Sequence, residues 1–462
     1  MRSRLAAGQI TEGAIWKQLL MFFFPILMGT FFQQMYNAVD TIIVGRFVGT
    51  QALAAVGAAS PLINLINGFF IGLSTGATVL LSQFYGANDH KGVSNALHSG
   101  VALSLILGAM VTLVGVVAGP QILRFTGIPE NCIDASMRYT RIYFSGALAS
   151  MIYNMGSGIL RAMGDSRRPM IFLMIACVVN IAMDIVCVVV LKMGVEGAAL
   201  ATVFSQILSA LLVTVVLLRL PAENRLEIPK IRIHSGLLKR ILYVGVPAGL
   251  QFITFDLANL LIQSGINSFG DAAIAAWTAY GKTDALTWMI SGAFGVSITT
   301  FVGQNFGAGK YARIRKSVWV CMAMGIGLEG LLSALMLGFR VPILGIYTTD
   351  AEVIRIGAYM MLWIVPFNAL FIPVEVFAGT MRGTGYSVMP TVITCTSVCL
   401  LRVLRVTLLV SRYHTIEMLC VVYPLSWIVA SIVFYIAYRR GTWLHKRIAE
   451  CGMEPEIRSF FQ

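Results

Sequence analysis

Four residues in the first half of this 462-residue chain could hold a cation away from bulk water: Asp40, Asn180, Asp184 and Thr202. Asp40 sits in Tyr36-Asn-Ala-Val-Asp40-Thr and Asp184 in Asn180-Ile-Ala-Met-Asp184, both inside long apolar runs. An ionised side chain costs about 2.5–3.5 kcal/mol at the centre of a membrane helix on insertion scales, so each such acid needs a reason to be there. Asn180 and Asp184 are four apart and would share one helix face. Two carboxylates, an amide and a hydroxyl together offer hard oxygen ligands for Na⁺. Equally, two close carboxylates in a low dielectric cannot both ionise easily, and such a pair tends to keep a proton. Either property makes a site for a coupling ion, Na⁺ or H⁺. Tyr36, Tyr139 and Asn154 are candidates to support it.

The second half is more heavily charged within its apolar runs: Asp256, Lys282, Asp284, Glu329, Glu375, Arg402 and Arg405. Lys282 and Asp284 are two apart on one helix and cannot face each other, so each needs a partner elsewhere. Two readings stay open: internal ion pairs that hold this half together, or a cleft in which Asp256, Lys282, Asp284 and Glu375 meet a charged substrate or move a proton. The five histidines show no ligand spacing, and the eight cysteines read as small apolar packing residues. No phosphate-cradling loop, nucleophile elbow or metal cluster is present in the sequence, so an enzyme and a cofactor are not expected.

The elements that must position these residues are membrane helices. Hydrophobic residues make up 57% of the chain and charged residues 12%, about half the usual globular share. Apolar runs long enough to cross a bilayer recur at about 14–44, 52–81, 93–118, 136–160, 169–191, 195–218, 237–268, 273–302, 317–339, 353–378, 388–410 and 415–438. Backbone polar groups can be hidden from lipid in such a chain only by a helical bundle. The net charge of +13 could suggest nucleic acid. However, 23 of the 34 Lys and Arg fall on one side, if the amino terminus is taken as cytoplasmic. That is the positive-inside bias; it predicts both termini in the cytoplasm and no nucleic-acid partner.

Residues 219–236 form the one long polar connection, with two prolines and mixed charge. The expected organisation is a tail over 1–13, a six-helix lobe over 14–218, the linker, a second six-helix lobe over 237–438 and a tail over 439–462. The two lobes repeat each other at an offset of 221 residues. Gly49-Thr-Gln-Ala-Leu-Ala-Ala-Val56 aligns with Gly270-Asp-Ala-Ala-Ile-Ala-Ala-Trp277, and Gln83, Gly86 and Ala87 align with Gln304, Gly307 and Ala308. Gly158, Arg161, Gly164, Ser166 and Pro169 align with Gly379, Arg382, Gly385, Ser387 and Pro390. Six spans is an even number, so the lobes enter from the same side and a pseudo-two-fold axis should lie along the membrane normal. At this offset Asp184 meets Arg405 and Asp40 meets Leu261, so the acid pair is not duplicated.

The paired turn signatures, six plus six spans and this length resemble the multidrug and toxic compound extrusion (MATE) family over roughly residues 14–440. The resemblance implies an all-α integral membrane protein of the MATE fold with twelve transmembrane helices. In the DinF-like branch, residues matching Asp40, Asn180, Asp184 and Thr202 form the cation site of the N-terminal lobe, and all four match here. Other members place functional acids on spans seven and ten, for which Asp256 and Glu375 are the candidates. The expected function is export of organic, mostly cationic or amphipathic compounds by antiport with Na⁺ or H⁺, with alternating access between the lobes. The expected setting is a monomer in the plasma membrane. The rival reading is a flippase for lipid-linked glycan or other anionic precursors on the same fold.

Overall fold

The computed structural model describes residues 10–124, 130–410 and 415–441, with Arg412, Trp443, Leu444 and Ile448. The expected tails therefore lie mostly outside the described residues, as do His414 and His445. Apart from short turns, the described chain is helical. Its elements are α1 (Ile15–Ile43), α2 (Thr50–Gly86), α3 (His90–Arg124), α4 (Glu130–Ser145), α5 (Ala147–Ala162), α6 (Arg167–Asp184), α7 (Gly194–Leu218) and α8 (Ser235–Asn267). They continue with α9 (Asp271–Gly307), α10 (Tyr311–Gly338), α11 (Arg340–Gly345), α12 (Ala351–Ile364), α13 (Phe371–Gly383), α14 (Val388–Thr394), α15 (Leu401–Arg405), α16 (Ile416–Cys420) and α17 (Val422–Arg440).

Among the described residues, eleven helical stretches are long and apolar enough to cross a membrane, which makes this a multi-pass membrane protein. The remaining expected span, over 136–160, is helical but broken at Gly146 into α4 and α5. A Cβ there would lie 2.6 Å from Oε1 of Gln206 on α7.

The 221-residue repeat survives in the backbone. Gly49 and Gly270 precede α2 and α9 with φ of 116° and 88°, Asn88 and Gly309 follow those helices at 57° and 69°, and Gly164 and Gly385 turn at 94° and 87°. These left-handed conformations let the chain reverse without leaving carbonyls unpaired. The amide of Asp89 reaches the carbonyl of Phe84, and that of Lys310 reaches the carbonyl of Asn305. Wide π-helical turns also recur in register, over Ile185–Val190 and Val406–Val410. The duplication thus preserved turn geometry where individual side chains diverged.

By its contacts the described chain divides into a unit built from residues within 24–249 and a unit built from residues 10–23 and those described from 250 on. The sequence places the boundary at the polar linker instead, and the linker's own hydrogen bonds show why it stays with the first unit. The Glu227 amide donates to Nε2 of His98 at 3.0 Å, Oγ of Ser99 meets Nδ1 of His234 at 2.9 Å, and Leu226 is buried. Lys230 and Glu227 pair within the linker, and that hydrogen bond holds the Glu227 carboxyl below the usual range. In the same unit, Gly72 and Gly76 on α2 meet Gly245 and Gly249 on α8. A Cβ on either α2 glycine would come within 2.2 Å of α8 backbone. Paired glycines four apart let two membrane helices touch main chain to main chain.

The second unit includes residues 10–23. The Ile10 amide donates to Oε1 of Gln304, Nδ2 of Asn305 donates to the Ile10 carbonyl, and Nη1 of Arg313 donates to the Gly13 carbonyl. The division of the chain then falls inside α1, between Phe23 and Phe24, next to Pro25.

Candidate ion site

Asp40 lies one turn before the end of α1, and Asp184 is the last α-helical residue of α6 before the π turn. A π turn carries an extra residue per turn, and such turns are frequent at functional sites. Asp184 is fully buried and Asp40 is 6% exposed. Their carboxyl groups are close enough for each to act on the other. Ionised carboxylates only accept hydrogen bonds, so in that form both Asp184 oxygens and Oδ1 of Asp40 lack a donor. Buried oxygens left this way cost several kcal/mol unless a proton or metal ion sits between them.

The other two residues of the expected set, Asn180 and Thr202, are both buried. Asn180, one turn before Asp184 on the same face, is fully buried with neither amide atom hydrogen-bonded. Thr202 is buried on α7, which packs along α6, and its hydroxyl donates to the Ala198 carbonyl at 3.1 Å. That bond turns the proton inward to the helix and leaves the oxygen lone pairs available. Two carboxyls, an amide carbonyl and a hydroxyl suit either a proton or a hard monovalent cation.

Aromatic groups close the surroundings. Tyr36, Tyr139 and Tyr143 all lie near enough to Asp40 to feel its charge. Tyr139 stacks on Tyr143 with centroids 6.2 Å apart. The Tyr143 hydroxyl accepts from Nδ2 of Asn67 at 3.0 Å and from Nε2 of Gln206 at 3.4 Å. Tyr143, Asn67 and Gln206 were not singled out from sequence, although Tyr139 and Tyr143 are four apart and so share a helix face. Asn154 gives its amide to the Ser150 carbonyl on its own helix at 2.9 Å, so the structure shows no bond from it to the acid pair.

The C-terminal candidates separate into three environments. Glu375 pairs with Arg382 at 3.2 Å, and Arg382 also donates to Oε1 of Gln251 at 3.4 Å. Asp256 is half-buried on α8 and Lys282 is exposed on α9. Asp284 is buried: its Oδ2 accepts from Nε1 of Trp288 at 2.8 Å and its Oδ1 from Nδ2 of Asn368 at 3.2 Å. Arg402, fully buried, acts on the same carboxylate through its charge without an ion pair to it, leaves Nη1 and Nη2 without a partner, and lies 4.2 Å from the Tyr423 ring centroid. An internal ion pair therefore holds Glu375, whereas Asp284 is held by the neutral donors of Trp288 and Asn368.

The MatE family model matches the chain twice, at residues 25–186 and 247–407. Among curated relatives, the probable multidrug resistance protein YoeA of Bacillus subtilis (strain 168) is 28% identical over 455 residues, covering 96% of this chain and 97% of that protein. The probable multidrug resistance protein NorM of Thermotoga maritima is 25% identical, with 90% of each chain covered. Among solved structures, the outward-facing conformation of a multidrug resistance MATE family transporter of the MOP superfamily superposes with a TM-score of 0.89. That chain is 24% identical, with 96% of this chain and 99% of the other covered.

Proposed function

The chain belongs to the MatE family, and from that premise we propose that it is a secondary active exporter that exchanges organic compounds for Na⁺ or H⁺. The cargo class is cationic or amphipathic organic molecules, in keeping with the multidrug names of its relatives. The observation that carries the proposal is the buried Asp40–Asp184 pair, whose oxygens lack donors when ionised. An ion arriving at this pair satisfies those oxygens, and its departure leaves them unsatisfied. The free energy of the lobe is thereby tied to ion occupancy. Each charge moved along the membrane potential contributes ~2.3 kcal/mol per 100 mV, so one or two ions support a cargo gradient of tens- to thousands-fold.

Within the DinF-like assignment, Asp40 and Asp184 bind the ion, Asn180 and Thr202 complete its oxygen shell, and Tyr36 and Tyr139 screen the pair from lipid. The Lys and Arg distribution supports a plasma-membrane orientation with both termini in the cytoplasm. Arg382 is engaged with Glu375 and Gln251, which favours cationic cargo over an anionic lipid precursor. The test is uptake of a lipophilic cation into proteoliposomes with Na⁺ and pH gradients imposed separately. Asp40→Asn should fold normally and lose gradient-driven accumulation at least 10-fold. Full-rate uphill transport by that variant would remove the assignment.

A further inference from the structure

The C-terminal unit holds a second buried acid that none of its neighbours satisfies. Glu329, on α10, is 0% exposed, and neither carboxyl oxygen meets a donor at hydrogen-bonding geometry. It packs beside Thr287 and feels the charge of Asp284, both on α9. Asp284 is in turn faced by Tyr280 and Trp288 on its own helix, by Asn368 from the 3₁₀ turn Val365–Leu370, and by Arg402 on α15. Tyr423, on α17, lies over Arg402 and also feels Asp284. Five elements thus converge on two carboxyls and one guanidinium.

The charges do not balance. Arg402 compensates one carboxylate, and with both acids ionised the centre keeps one uncompensated negative charge in a membrane interior. Asp284 is the better solvated of the two, with N–H donors from Trp288 and Asn368 at 2.8 and 3.2 Å. Glu329 has only the Thr287 hydroxyl beside it and no donor at full hydrogen-bonding geometry, so it is the group where a proton restores neutrality at least cost. A metal ion is a poorer fit. Asn368 turns its Nδ2 rather than its carbonyl to Asp284 and Thr287, and Trp288 and Arg402 likewise present donors. A donor-lined centre stabilises a carboxylate and repels a metal cation.

We propose that Glu329 binds and releases a proton as a second titrating site of this protein, separate from the Asp40–Asp184 pair. Its use in transport rests on the ion-coupled reading above; its existence does not. The step is simple: one proton joins a Glu329 carboxylate oxygen and leaves from the same oxygen, with Asp284 and Arg402 holding their charges throughout.

The test is pH-difference infrared spectroscopy on the full chain in lipid, with carboxyl-¹³C glutamate or aspartate incorporated. Scans run between about pH 6 and 9, above the range near 4.3 in which exposed glutamates titrate. The expected result is a protonated-carboxyl band that shifts with labelled glutamate and not with labelled aspartate. That band should persist in Asp40→Asn and be lost completely in Glu329→Gln. Labelling of the unmutated protein keeps the test valid should Glu329→Gln fail to fold. Absence of any glutamate-labelled band, its survival in Glu329→Gln, or its removal by Na⁺ at constant pH would each overturn the proposal. A band that follows only the aspartate label comes from an aspartate such as Asp40, Asp184 or Asp284 and also overturns it. Loss of transport in Asp40→Asn with the glutamate band intact separates the two sites.

Discussion

The two halves of this chain bury acids in opposite company. The Asp40–Asp184 pair has no guanidinium within its set; its other groups are an amide, a hydroxyl and tyrosines. The Asp284 centre is built around Arg402, which donates from Nε to Oγ of Ser426 at 3.1 Å and stacks on Tyr423. The contrast arises inside a repeat whose turns still match residue for residue. At the offset of 221, Asp184 is replaced by Arg405, and Asn154 by the ion-paired Glu375. A duplicated scaffold can keep its backbone and exchange the chemistry it carries. One half then carries acids with no cation in their set, and the other carries acids beside a buried guanidinium.

The comparison predicts its largest effect at the fixed charge. Arg402→Met fills similar volume and leaves Asp284 and Glu329 with no cation, while also removing a desolvated cation–π contact of about 2 kcal/mol. Removing one partner from a buried charged set costs on the order of 3–5 kcal/mol. Thermal unfolding in detergent should show a loss of that size, whereas Asp184→Asn should leave the melting temperature nearly unchanged. Equal destabilisation by both variants would mean that the two centres are alike after all. Next in size is Trp288→Phe, which keeps the ring packing and deletes the indole donor to Asp284. An unsatisfied carboxylate oxygen costs about 1–3 kcal/mol, again readable as a shift in unfolding. No shift would show that the 2.8 Å bond contributes nothing to the centre.

Much of the N-terminal site was legible because its rules are local. Ionisable residues in apolar runs stand out one by one, Asn180 and Asp184 share a face by spacing alone, and the family resemblance joined Asp40 and Thr202 to them. The turn signatures were legible for the same reason, since left-handed backbone asks for Gly or Asn at fixed places. The C-terminal centre was visible only as scattered charges. Asn368 reaches Asp284 across 84 residues and Ser426 reaches Arg402 across 24, and no periodicity connects such positions. Asn368, Thr287 and Ser426 are ordinary polar residues of membrane helices until a fold sets them beside a charge. The break at Gly146 was hidden by hydropathy, which is unaffected when one residue interrupts a helix.

Within the N-terminal site, Thr202→Val tells the two candidate ions apart. A hydroxyl oxygen is a ligand for Na⁺ but is not required when two carboxyls share a proton. If Na⁺ couples transport, its half-saturating concentration should rise about tenfold, the equivalent of 1.4 kcal/mol. If H⁺ couples transport, the pH profile should be unmoved.

The smallest effect is expected at Lys282, and it bears most directly on where the comparison ends. Lys282 is exposed and two residues from Asp284, so the two point to different sides of α9 and the lysine does not belong to the Arg402 centre. Lys282→Ala should change unfolding by no more than about 0.5 kcal/mol, as surface substitutions usually do, and should leave the Glu329 titration in place. Its charge still adds to the field met by any cationic cargo passing that helix. Removing a like charge raises the affinity for such cargo, while neutral substrates are unaffected. Paired transport assays with a cationic and a neutral dye would read that difference. A parallel change for both dyes would place Lys282 among the residues that hold the helix rather than those that meet the cargo.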